Sequence, residues 1–269
     1  MRSADRVGDL REGVRLIVAL LTVVPAGRLA DITPGSARVA MVAAPLARAI
    51  VGLLAGAVIL GAHLLGVPPL VAALLAVAAV MLGNRGMHID GLSDTVDGLG
   101  AGWNRERALE VMHVGNAGPM GVASIVVVVG LQASAWASLT SAAPGWRSAA
   151  LIATLITASG VAATLAATRG IPAAPQSGLA REVSSVVPPW LTAVWLVLAG
   201  VALSAVGTLA GRPWWVGVLA AVVAALTVGW LLWRSSKVFG GVTGDVMGAA
   251  IELHLTAASV AMLAAGGLA

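Results

Sequence analysis

Seven apolar stretches, near residues 38–66, 67–83, 117–139, 148–168, 187–210, 213–233 and 246–268, divide almost the whole chain between them. Crossing a bilayer as a helix takes about 20 apolar residues, and backbone groups in lipid must be satisfied within the segment or within a closed barrel. Runs of this length predict an all-α, polytopic helix bundle of about seven transmembrane helices, with 67–83 the shortest. Val14 to Val24 is too short to cross, so it reads as a short N-terminal interfacial or re-entrant helix ended by Pro25. Trp190, Trp214, Trp215, Trp230 and Trp233 lie near span ends, where interfacial aromatic residues concentrate. The arginines ahead of "LIVALLTVVP" resemble a signal peptide, but Asp5, Asp9 and Glu12 interrupt the basic region and no clear cleavage site follows. A single integral membrane domain over 1–269 is expected, with no soluble domain.

Charged residues make up only 10% of the chain, so its chemistry must be sought in few places. Fifteen of the sixteen basic residues are arginines, spread along the chain with a net charge of +4. That distribution fits a membrane surface and argues against a nucleic-acid partner. The absence of cysteine rules out disulfides and thiolate chemistry.

Threading seven spans gathers Arg2, Arg6, Arg11, Arg15, Arg28, Arg38, Arg85, Arg105, Arg107, Arg169, Arg181, Arg234 and Lys237 on one face. Arg147 and Arg212 remain on the other. Lysine and arginine are retained on the cytoplasmic side, so the crowded face is expected to be cytoplasmic, in a cell (plasma or inner) membrane. The acidic residues fall on that same face or within about two turns of it.

Three of the seven aspartates stand together in "HIDGLSDTVDGLG". Asp90, Asp94 and Asp97 occupy i, i+4 and i+7, within about 60° of arc on one side of a helix. Like charges at that spacing repel unless a cation lies between them. Oxygen donors without matching His or Cys favour a hard cation, Mg²⁺ or alternatively Mn²⁺, over zinc. Gly91 and Gly98, beside the aspartates, are read as letting a ligand approach the backbone.

A second cluster, "GGVTGDVMGAAIEL", carries Thr243 and Asp245 in a loop entering the last span, with Glu252 seven residues on and on the same helical side. An aspartate at a helix start is by default an N-cap. A carboxylate inside the membrane boundary is costly and points to function or pairing. The pair is therefore read as functional. In "WNRERALEVMHVGNAGPMGV", Arg105 and Arg107 follow the aspartates and are candidates to clamp phosphate oxygens, as are Arg85 and Arg169, with Arg181 in the same loop as Arg169. Ordinary membrane anchoring, with Glu106 and Glu110 as surface partners, is the alternative for Arg105 and Arg107. Arg48 lies mid-span, where it could reach a phosphate or an acid. His88 falls about 160° from Asp90 on a helix, so a structural hydrogen bond suits it better than a metal, and His254 reads the same way.

A helix bundle with carboxylates, arginines and glycine turns on one face points to metal-assisted transfer at a phosphate or pyrophosphate. "NRGMHIDGLSDTVDGLGAGWNRERALEVM" resembles the signature of the cobalamin synthase family, adenosylcobinamide-GDP ribazoletransferase. "GGVTGDVMGAAIEL" resembles its C-terminal motif, with "GPMGV" and "RGIPAA...SGLA" in the expected order. The resemblance implies a Mg²⁺-dependent membrane enzyme joining adenosylcobinamide-GDP to α-ribazole or its 5′-phosphate, releasing GMP and forming adenosylcobalamin or its phosphate. It implies metal and catalytic carboxylates at Asp90, Asp94 and Asp97, with Asp245 and Glu252 matching the C-terminal motif. The segment His113 to Asn116 departs from the charged residues common at that place. A homo-oligomer, or association with other enzymes of the cobalamin pathway, is compatible with this reading.

Two rival readings share some of these features. A CDP-alcohol phosphotransferase uses the same carboxylate logic, but Ser93 and Asp94 stand where its motif has Ala-Arg. An ion-coupled transporter would need ionisable groups on a path to the far side, which is nearly bare of charge.

Overall fold

The structure, a computed structural model, describes residues 3–29, 31–113, 115–175 and 177–264. Arg2, Val114 and the end of the last expected span lie outside the described residues. Within them the chain is helical, with isolated bridges and no named strand. The helices are α1 (Ser3–Leu21), α2 (Pro34–Val42), α3 (Ala44–Leu64), α4 (Pro69–Gly83), α5 (Met87–Gly100), α6 (Arg105–His113) and α7 (Pro119–Ala142). There follow α8 (Trp146–Ser159), α9 (Val161–Ala166), α10 (Leu179–Val183), α11 (Pro189–Leu209), α12 (Trp214–Val238) and α13 (Gly244–Ala264). Six stretches among the described residues are long and apolar enough to cross a membrane, or seven if the bent pair α4 and α5 is counted as one span. The chain is a multi-pass membrane helix bundle.

The expected elements are found with corrections in three places. The first, 38–66, is two helices: Pro45 in the first turn of α3 cannot donate a backbone hydrogen bond, and the chain breaks at Ala43. A second break, at Gly160 between α8 and α9, packs on the first, since a Cβ at Gly160 would sit 2.5 Å from Pro45 Cα. The Thr164 hydroxyl then donates to the Met41 carbonyl at 2.8 Å, tying the two broken spans together.

The second expected span is the other exception. At 15 residues α4 rises only about 22 Å against a hydrocarbon core of about 30 Å. The chain then turns through 88° into α5, by way of left-handed Arg85 and Gly86. The motif with the three aspartates is therefore a helix held against the bundle.

The N-terminal segment is the third. Instead of a short Val14–Val24 helix, α1 runs for 19 residues, because its charged first half is also helical. Arg15 bonds Glu12 at 2.9 Å and the carbonyls of Ala26 and Arg28, and the Thr33 hydroxyl donates to Asp9 at 2.6 Å. These contacts fold α1 back onto α2.

Trp190, Trp214, Trp230 and Trp233 are exposed on the outer surface, as interfacial residues must be. Trp136 is fully buried and donates to Ser259 at 3.0 Å, linking α7 to α13. Most of α13 is buried, and it is the central helix against which α5, α7 and α12 pack.

Candidate active site

α5 and α13 meet where two glycines face two backbones. A Cβ at Gly91 would lie 2.7 Å from the Asp245 carbonyl oxygen, and one at Gly248 would lie 3.2 Å from His88 Cα. Only bare backbone on both helices permits this approach. It brings the aspartate turn of α5 beside the first turn of α13. That turn is capped by Thr243, whose hydroxyl oxygen accepts from Val246 N–H at 3.2 Å and lies 3.4 Å from an Asp245 carboxylate oxygen. Thr243 is buried, so its contribution here is a helix cap.

The three α5 aspartates separate in role. Asp90 is exposed and Asp94 half-buried. Asp97 accepts the backbone N–H of Gly118 at 2.7 Å and of Gly121 at 2.8 Å, capping the first turn of α7. Its carboxylate thus holds α5 against the "GPMG" turn, favourably placed at a helix N-terminus. Spacing alone places it in a three-carboxylate metal set. Among the described residues, no group of three or more His, Asp or Glu side chains could hold a metal ion by itself.

Gly91 and Gly98 also differ from expectation. Neither leaves room for a ligand: Gly91 is filled by the Asp245 backbone, and a Cβ at Gly98 would meet Met112 Cγ at 2.6 Å. Both serve helix packing, of α5 on α13 and on α6.

Of the expected phosphate-binding arginines, Arg107 is exposed and pairs with Glu110 at 2.9 Å, the ordinary surface arrangement. Arg85 donates to the Ala19 carbonyl and so bridges to α1. Arg169 and Arg181 are exposed. Arg105 is placed differently: its guanidinium carbon would be 2.8 Å from a Cβ at Gly240, so it lies on the glycine turn that feeds α13. Beside it, Arg234 stacks over the Trp103 ring at 4.0 Å. The "RGIPAA" loop braces the same turn through Ala174 N–H to the Val242 carbonyl and Val242 N–H to the Pro172 carbonyl, both 2.9 Å.

Behind the aspartates lies a polar network that spacing could not assemble. Glu252 is 4% exposed, and one of its carboxylate oxygens accepts from Gln132 Nε2 at 2.9 Å. The other stands 3.7 Å from His88 Nδ1. Gln132 also donates to Thr256 at 3.0 Å, and Asn84 Nδ2 lies 3.1 Å from His88 Nδ1. Arg48 is fully buried, donates to Ser159 at 3.2 Å and lies within coulombic reach of Glu252 and His88. Of the two alternatives for Arg48, this places it near the acid without a direct ion pair. Gln132, amid "IVVVVGLQASAW", was the signal for this network, since an amide in so apolar a run needs a partner.

A pocket of about 210 Å³ opens at the α5–α13 crossing, with Asp90, Asp245 and His88 among its lining residues and α1, α2, α9 and α10 completing its walls. Its polar groups lie on α5 and α13 and its remaining walls are apolar.

A family model described as "CobS: Cobalamin-5-phosphate synthase" matches residues 13–263. The chain is 39% identical over 255 residues to the adenosylcobinamide-GDP ribazoletransferase of Nocardioides sp., covering 95% of this chain and 100% of the relative. Proteins of the same description from Corynebacterium efficiens and Brucella canis are 33% and 34% identical, covering 97% and 87% of this chain and 94% and 88% of theirs. No solved structure matches. With most of its length matched, and its two carboxylate motifs meeting at one crossing, the chain belongs to the cobalamin-5-phosphate synthase family of cobalamin-biosynthesis transferases.

Proposed function

We propose that this protein joins adenosylcobinamide-GDP to α-ribazole or α-ribazole 5′-phosphate, releasing GMP and forming adenosylcobalamin or its 5′-phosphate, with Mg²⁺ as cofactor. The observation that carries the reading is the α5–α13 crossing, where the Asp-Gly-Leu-Ser-Asp and Thr-Gly-Asp motifs share one pocket. The names of the relatives supply the substrates.

The donor set fits Mg²⁺. The carboxylates of Asp90, Asp94 and Asp245 are hard oxygen donors, and Mg²⁺ is commonly held by one or two carboxylates plus substrate phosphates rather than by a complete protein cage. One or two of these carboxylates, together with substrate phosphates, would hold it, and when bound it would neutralise charge on the phosphoryl oxygens and on the departing GMP. The acceptor hydroxyl forms the new P–O bond as the bond to GMP breaks. Carboxylates at the pocket mouth are placed to receive the hydroxyl proton. Arg105, which lies on the Gly240 turn that feeds α13, would contact the pyrophosphate. The arginine asymmetry supports a site that faces the cytoplasm of a plasma or inner membrane, where a nucleotide-activated substrate is available.

The test uses purified protein in liposomes with adenosylcobinamide-GDP, α-ribazole 5′-phosphate and Mg²⁺, following GMP and cobamide. Joining that stops with EDTA and returns with Mg²⁺ supports the proposal. No product from a well-reconstituted sample would overturn it.

A further inference from the structure

We propose that the first half of α1 docks on an anionic bilayer surface, with Val7, Leu10 and Val14 seated among the acyl chains and Arg6 and Arg11 against phospholipid phosphates. This contact is separate from the transfer chemistry and can be tested without turnover.

At 100° per residue, Val7, Leu10 and Val14 fall within about 60° of arc on one side of α1, and Arg6 and Arg11 lie about 40° beyond its two edges. The stripe is turned away from α2. Gly13 makes that packing contact, since a Cβ there would sit 2.6 Å from the Ser36 carbonyl oxygen. Two acids of α1 are engaged off the stripe, Asp9 accepting the Thr33 hydroxyl at 2.6 Å and Glu12 pairing with Arg15 at 2.9 Å. Val7 is 68% exposed, Leu10 57% and Val14 42%, and both flanking arginines are exposed as well. Neither arginine joins an ion pair among the described residues. An apolar stripe rimmed by such arginines is the pattern of a helix lying in a membrane interface, its cationic ends reaching up to the headgroups.

The other end of α1 is held at the depth this requires. Val23 N–H donates at 2.8 Å to the carbonyl of Gly83, the last residue of α4, and Arg85 donates to the Ala19 carbonyl. Running in from the opposite surface, α4 ends about 8 Å short of the near edge of a hydrocarbon core about 30 Å thick, within the roughly 5–10 Å to which interfacial helices sink. Leu82, beside Gly83, is 75% exposed, so lipid adjoins the tie and reaches α1 without any further partner. Water would leave the three apolar side chains of the stripe uncovered, whereas an anionic headgroup layer covers them and supplies the counter-charge for Arg6 and Arg11. Leu20 and Leu21, in the last turn, line the pocket, so the helix that meets the bilayer is also a wall of the cleft.

The chain has no cysteine, so a single label can be placed at any exposed position. Leu10→Cys and Val14→Cys, each carrying an environment-sensitive NBD dye, are compared with Gly8→Cys, which points to the other side of α1 and whose added Cβ meets nothing within 4 Å. The full-length protein is reconstituted in phosphatidylcholine liposomes with phosphatidylglycerol raised stepwise. Dyes at positions 10 and 14 are expected to emit to the blue and to be quenched by doxyl-labelled phospholipid as phosphatidylglycerol increases, and the dye at position 8 to be quenched by iodide. Arg6→Gln or Arg11→Gln, added to Leu10→Cys, should each weaken docking about fivefold, and high salt should act in the same direction. Iodide quenching at all three positions would put the stripe in water. Blue emission beyond the reach of both quenchers would put protein on it, such as a second copy of the chain. Lipid quenching that ignores phosphatidylglycerol and both arginine substitutions would remove the recognition of anionic lipid. Any of these three results overturns the proposal.

Discussion

Gly91 on α5 lies against the backbone of Asp245 on α13, so closely that an added methyl would sit 2.7 Å from the Asp245 carbonyl oxygen. The two carboxylate motifs share a pocket because this one position has no side chain. Gly91→Ala is expected to push the helices apart at the cost of overpacking, about 1–3 kcal/mol, and to lower kcat/KM far more than expression. Gly100→Ala is the control, since a Cβ there would meet only Met120, at 3.7 Å. Thermal unfolding in detergent and turnover in liposomes, measured on both variants, would check this. Equal behaviour of the two would remove Gly91 from its packing role.

Asp97 should part company with Asp90 and Asp94. Its oxygens accept two backbone N–H groups at the start of α7, and Asp97→Asn puts an NH₂ group against one of them. The expected result is a loss of about 1–3 kcal/mol in stability, with the Mg²⁺ concentration for half-maximal activity unchanged in the folded fraction. Asp90→Asn, at an exposed position, should leave melting nearly unaltered, and both Asp90→Asn and Asp94→Asn should raise the Mg²⁺ requirement or abolish turnover. A Mg²⁺ titration of each variant alongside its melting curve distinguishes the two patterns.

The two neighbouring arginines should also diverge. Arg107→Ala removes an exposed pair with Glu110, worth about 0–1 kcal/mol, and should leave kinetics near wild type. Arg105→Ala removes the guanidinium lying on the Gly240 turn and should raise KM for the GDP-bearing substrate about tenfold or more. Steady-state kinetics on the two single variants would show whether position, rather than charge, sets the effect.

Arg48 and Glu252 form the charged part of a buried network, and neither charge tolerates isolation. Arg48→Met alone is expected to cost about 3–5 kcal/mol, because it strands Glu252 among His88 and Gln132. Adding Glu252→Gln should restore much of the lost stability. A double-mutant cycle of melting temperatures measures the coupling, and simple additivity would show that the two groups do not interact.

What the amino-acid order revealed followed the range of each interaction. Spans were legible because a bilayer imposes length and apolarity on every crossing helix. The aspartate motif was legible because carboxylates are few in this chain. The break at Ala43 and Pro45 was harder to see, since its reason is tertiary: Gly160 accepts the kinked backbone from another span. Spacing grouped Asp97 with Asp90 and Asp94, because helical angle reports a shared side, but it could not show that the α7 amides also bond Asp97. The glycines beside the aspartates suggested ligand access for the same reason, as a missing side chain looks alike whether a ligand or a helix fills the space. Gln132, Asn84 and Ser159 could be placed in a network only once distant helices were brought together.

The burial of Arg48 bears on how the protein is made. α3 leaves the ribosome early, whereas Glu252 sits in the last helix, so the arginine must enter the bilayer before its counter-charge has been synthesised. An arginine mid-helix costs about 2.5–3.5 kcal/mol on insertion scales, and the remaining residues of α3 must offset it, which they do well enough that the helix keeps a mean hydropathy of 1.9 with the arginine included. Until α13 arrives, the nascent protein carries a naked cation within the membrane. A chain truncated before α13 would display that cation indefinitely, giving membrane proteases a mark by which an unfinished molecule differs from a completed one.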